Sequence, residues 1–84
     1  MADDHALFAY GGGLRFVADC DGETLWIELP DELLSAEIGS SHEMADVKAW
    51  LGRNIDGVKA AAKARIEGRD MDTRFKHIFA QEKA

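Results

Sequence analysis

From Leu14 to Leu29 apolar and polar residues alternate on both sides of Asp21-Gly22. Alternation of this kind marks strands with one buried face. Asp-Gly is a preferred dipeptide for a two-residue type I′ turn, where both positions need positive φ. A turn there fixes the register. Cys20 faces Glu23, Asp19 faces Thr24, Ala18 faces Leu25 and Val17 faces Trp26. Phe16 then faces Ile27, Arg15 faces Glu28 and Leu14 faces Leu29. Leu14, Phe16, Ala18, Leu25, Ile27 and Leu29 share one side, which must be the core side. On the other side Arg15 and Glu28 place opposite charges across the ladder.

Gly11-Gly12-Gly13 precedes this hairpin. A phosphate-cradling loop needs a following Lys-Ser/Thr and a helix, and neither is here. The glycines read as a tight turn, with His5 to Tyr10 as a preceding strand. A three-residue loop sets Phe8 opposite Phe16 on the core side and Leu7 opposite Val17 outside. Leu7, Val17 and Trp26 then form an outer row, a candidate partner surface. The competing reading is that Phe75, Ile78 and Phe79 of the tail cover that row.

Beyond Pro30 the period changes. Asp31 to Ile38 reads as a short helix with Leu34 and Ile38 four apart and Gly39 as its C-terminal cap. Ser40 and Glu43 have the spacing of a capping box. Met44, Val47, Leu51, Ile55, Val58, Ala62 and Ile66 then follow a period near 3.6, with Trp50 at the edge of the stripe. Gly52 and Gly57 each cost about 1 kcal/mol relative to Ala. A kink is expected there, or a break capped by Asn54, with Gly68 closing the helix. The tail from Thr73 to Ala80 fits both periods, and we read it as a strand returning to the sheet.

At 84 residues the chain is the length of one small domain. Its single cysteine, Cys20, permits no internal disulfide. The acidic start, Met-Ala-Asp-Asp-His, lacks the basic and apolar run of a secretory signal. No apolar stretch reaches the roughly 20 residues of a membrane span. These features point to the cytoplasm and away from membranes. The net charge of −6 is uneven: three bases and twelve acids up to residue 57 give −9, and seven bases and four acids beyond it give +3. Lys59, Lys63, Arg65 and Arg69 are the candidate basic patch. Against a nucleic-acid role stands the acidity of the whole chain.

Candidate chemistry is thin. Asp19 and Asp21 flank Cys20 and disfavour its thiolate, so it reads as a small, partly buried residue. His5, His42 and His77 stand singly, without metal-ligand spacing. A tail paired with the first strand would bring His5 and His77 together, with Asp19 as a third ligand. The acids show no paired arrangement for general acid–base work.

Leu14-Arg15-Phe16, Ala18, Gly22, Ile27 and Leu34, followed by Trp50, Arg53-Asn54, Val58, Ala62 and Ile66, resemble a family of short bacterial proteins called domain of unknown function 1488. The likeness spans residues 14–68. Pro30-Asp31, the triple glycine and the tail depart from the family pattern. The resemblance implies a small α+β fold and brings no activity, cofactor or catalytic residue.

The expected fold is therefore α+β: a three- or four-stranded, mostly antiparallel sheet packed in two layers on a short helix and a long, kinked one. The leading functional expectation is a non-enzymatic interaction or accessory protein without a cofactor, acting through a protein partner or as a homodimer. A nucleic-acid-associated regulator using the basic helix end is the second reading, and a small metal-dependent enzyme the third.

Overall fold

The computed structural model describes residues 6–20, 22–39, 43–70 and 73–83. Four strands, β1 (Phe8–Tyr10), β2 (Gly13–Cys20), β3 (Glu23–Pro30) and β4 (Phe79–Glu82), form one antiparallel sheet in the order β1-β2-β3-β4. Two helices, α1 (Asp31–Ile38) and α2 (Met44–Glu67), make the second layer. The fold is α+β, as the hydrophobic pattern requires.

The central hairpin has the expected register at every position from Leu14↔Leu29 to Cys20↔Glu23. Its inward side chains Phe16, Ala18, Leu25, Ile27 and Leu29 are buried, and Leu14 is partly so. Each large one stabilises the fold by roughly 1.5–3 kcal/mol through burial. Cys20 also points inward and is fully packed rather than half-covered. Gly22 carries the positive φ of the turn, 85°; Asp21 lies outside the described residues.

The first hairpin departs by one residue. Phe8 pairs with Arg15, Ala9 with Leu14 and Tyr10 with Gly13, so only Gly11 and Gly12 turn. Gly13 belongs to β2 because the chain returns close beside it. A Cβ there would meet the Leu29 carbonyl oxygen and approach Pro30 Cα to 2.8 Å. The Asp31 amide, at the start of α1, donates to the Gly12 carbonyl at 2.8 Å. A slip of one residue exchanges the faces. Leu7 therefore packs against the core, and Phe8, expected inside, stands outside at 50% exposure.

Helix α1 has the expected bounds and ends at Gly39. Helix α2 starts from Glu43, whose amide donates to Asp46 Oδ2 at 2.9 Å, so the capping box is Glu43–Asp46. Ser40, expected in that role, lies outside the described residues. Val47, Trp50, Leu51, Val58 and Ala62 are buried, Ile55 and Ile66 pack against the core, and Met44 is exposed.

Of the kink or break expected at residues 52–57, the break does not occur; α2 is one helix of 24 residues. Asn54 caps nothing. Its Nδ2 donates to the Trp50 carbonyl within the helix at 2.8 Å. Packing on both sides of the glycines outweighs their combined cost of about 2 kcal/mol. Gly68 ends the helix in the left-handed conformation, φ 72°.

The tail becomes a strand later than expected. A 3-10 turn, Thr73–Phe75, leads into β4. Phe75 and Ile78 are buried in the core, so they do not cover the outer row. Strand β4 pairs with β3, at the edge opposite β1. The tail thus brings nothing to the first strand, and His77 Nδ1 instead lies 3.3 Å from Glu32 Oε1. His5 and His42 lie outside the described residues.

Candidate interaction surface

Alternation along the strands gives the sheet a second face, pointing away from both helices. Directly paired residues share a face. Phe8, Arg15, Glu28 and Phe79 therefore form one row across all four strands. Val17, Trp26 and Gln81 form the next. Phe79 is 58% exposed, and Val17 and Trp26 are half-buried. The described helices pack on the opposite face, and α2 touches these rows through Arg65 at Phe79. Of the expected outer residues, Val17 and Trp26 are in place and Leu7 is not; Phe8 and Phe79 replace it.

The side chains here are ordered by one another. The Phe8 ring meets Trp26 edge-on at 6.1 Å between centroids. The Arg15 guanidinium lies over the Trp26 ring, 4.6 Å from its centroid. Such cation–π stacking is worth roughly 0.5–2 kcal/mol. Although Arg15 and Glu28 are cross-strand neighbours, they form no ion pair; the guanidinium turns to the indole instead. Arg15 Nε is shielded from solvent and has no hydrogen-bond partner. At the far edge, the Arg65 guanidinium sits 5.4 Å from the Phe79 ring centroid. Tyr10, at the end of β1, has its phenol pushed upward by burial and by the charges of Glu28 and Asp31.

The expected basic patch divides. Lys59, Lys63 and Arg69 line a groove of about 480 Å³ together with Asp19, Cys20, Asp56 and Ala60. Lys63 Nζ is 2.6 Å from Glu23 Oε1 and 3.6 Å from Glu67 Oε2. Arg69 Nε lies 2.6 Å from Glu67 Oε1. The hydrogen bond from Arg69, its charge and that of Lys63 hold the Glu67 carboxyl below its usual range. Arg65 turns away and donates to the carbonyls of Ile78 (3.1 Å) and Lys76 (2.7 Å). Its role on this side is to tie the tail to α2.

Among the described residues no three His, Cys, Asp or Glu side chains gather to hold a metal ion, and no helix is long and apolar enough to cross a membrane. Among the described residues no His lines the groove beside the buried Cys20.

Phe8 and Phe79 escaped the sequence pattern for identifiable reasons. Phe8 was hidden by the undetermined length of the glycine turn. Phe79 was hidden because the tail fits both periods, and only its pairing with Glu28 gives it a face. No protein family, curated protein or solved structure matches this chain.

Proposed function

We propose that this chain is a non-enzymatic interaction module that binds protein through the open face of its sheet. The observation that carries this reading is the pair of rows on that face. Phe8 and Phe79 are each at least half exposed, and they flank Trp26 and Arg15 on rigid strands. Aromatic and arginine side chains grouped this way are the usual anchors of protein interfaces, and exposed apolar patches mark contacts. Lys63, Arg65 and Arg69 direct their charge at internal partners, which favours a protein partner over nucleic acid. Likeness to the 1488 family is part of this proposal and adds architecture without chemistry.

The test compares the wild-type chain with a Phe8→Ser/Phe79→Ser variant, with circular dichroism showing that both fold alike. Association with a second copy or another protein is expected to fall at least about tenfold, the loss of one or two interface anchors. An association that ignores both residues, or no association at all, overturns the reading.

A further inference from the structure

Resting on that reading, we propose that the partner is a second copy of this chain. The two copies pack sheet against sheet about a two-fold axis that lies between them and runs parallel to the strands, between β2 and β3. The carrying observation is the order of the outer row: Phe8, Arg15, Glu28, Phe79, or apolar, positive, negative, apolar. A symmetric dimer interface must complement itself, because residue i meets j and j meets i. This axis lays β1 over β4 of the second copy and β2 over its β3. Phe8 then meets Phe79 of the second copy, and Arg15 meets Glu28 of the second copy, each contact occurring twice. One row along, Val17 and Trp26 exchange in the same way.

A two-fold axis running across the strands through this row would instead set Arg15 on Arg15 and Glu28 on Glu28. Like charges facing each other disfavour that arrangement. The row thus favours the axis parallel to the strands over that one. Aligned packing of sheets at roughly 30° is the ordinary geometry for such faces.

Two further features fit a second copy. Neither Arg15 nor Glu28 has an ion-pair partner among the described residues, and the symmetric mate brings an opposite charge to each. Arg15 and Glu28 also carry opposite charges on adjacent strands, which makes the row a poor match for a polyanion. Strands about 4.8 Å apart, with the inner two roughly 26 Å long, give a face of about 400 Å² per copy. About 800 Å² in total is at the low end for protein contacts and suits a weak, concentration-dependent dimer.

The experiment is sedimentation velocity on the full chain from about 1 μM to 1 mM, a range chosen for weak complexes. Reversible dimerisation is expected. Arg15→Glu and Glu28→Arg each place like charges face to face and should weaken the dimer about 100-fold. Mixed in equal amounts, these two variants should associate again, since both cross-copy contacts are then matched. The double variant Arg15→Glu/Glu28→Arg, which keeps opposite charges within the chain and between copies, should dimerise like wild type. Circular dichroism melts establish that each variant is folded. A wild type that stays monomeric to 1 mM, or charge variants that fail to recover in both the mixture and the double variant, overturns the dimer. If the wild type is monomeric while another protein binds through Phe8 and Phe79, this inference alone fails; if nothing binds the face, the interaction reading fails with it.

Discussion

The Phe75 ring occupies the space that a side chain on Gly57 would need: a Cβ there would lie 2.9 Å from Phe75 Cε2 and 3.3 Å from Cζ. The ring is held edge-on to Trp50, 6.3 Å between centroids, with the Arg74 guanidinium 5.0 Å from its own centroid. Gly57 is therefore the socket by which α2 receives the tail, and Gly52, with open space around it, is not.

The two glycines should respond oppositely to alanine. Gly52→Ala is expected to stabilise by about 0.4–1 kcal/mol through helix propensity and reduced chain entropy. Gly57→Ala carries the same gain but must displace a buried ring, which costs about 1–3 kcal/mol. Urea unfolding of both variants checks this. A Gly57→Ala variant as stable as Gly52→Ala would show that Phe75 does not dock there.

A second contact ties three segments through one carboxylate. Trp50 Nε1 donates to Glu37 Oε1 at 3.0 Å, and Arg74 Nη2 donates to the same oxygen at 2.6 Å. The Arg74 hydrogen bond is the main cause of a Glu37 pKa below its usual range; burial opposes it, and the Trp50 bond and the Arg74 charge assist. A depressed folded-state pKa means that the stabilisation is present above the ordinary carboxylate range. It is lost as pH falls through the lowered folded value. Glu37→Gln should cost about 1–2 kcal/mol at pH 7, because half-exposed Arg74 tempers the charge contribution. The same substitution should flatten the acid limb of the stability curve. Unfolding followed by intrinsic tryptophan fluorescence between pH 7 and pH 3 reads both effects. Equal acid sensitivity in the two proteins would rule out this role for Glu37.

Gly13 shows how a glycine run can hide a strand residue. Its φ of 156° and the nearby Leu29 carbonyl and Pro30 Cα leave no place for a side chain. Gly13→Ala should destabilise by at least about 2 kcal/mol, whereas Gly11→Ala, with open space at its Cβ, should stay within about 1 kcal/mol. Thermal melts separate the two, and similar melting temperatures would place Gly13 back in the turn.

Local chemistry was enough to read the middle of the chain. Alternation around an Asp-Gly dipeptide fixed Phe16 opposite Ile27 and Arg15 opposite Glu28, because a slip of one residue would have put the whole apolar set in water. Pro30 and Gly39 bounded α1 for the same kind of reason: each restricts or frees its own backbone whatever surrounds it. The stripe from Val47 to Ile66 likewise needed only the helical period to show its buried side.

Where two local solutions had similar energies, tertiary packing chose between them. Three consecutive glycines permit turns of more than one length, and the return of the chain at Leu29–Asp31 selected the one that exposes Phe8 and buries Leu7. Gly52 and Gly57 weaken a helix without stating whether it breaks; contacts made by Trp50, Val58 and Phe75 kept α2 whole. The tail satisfies both periods, so only the free edge of β3 turned Phe79–Glu82 into a strand. The open aromatic face exists because of those choices. Short-range preferences amount to about a kilocalorie per residue, and long-range burial in a core of this size easily exceeds them.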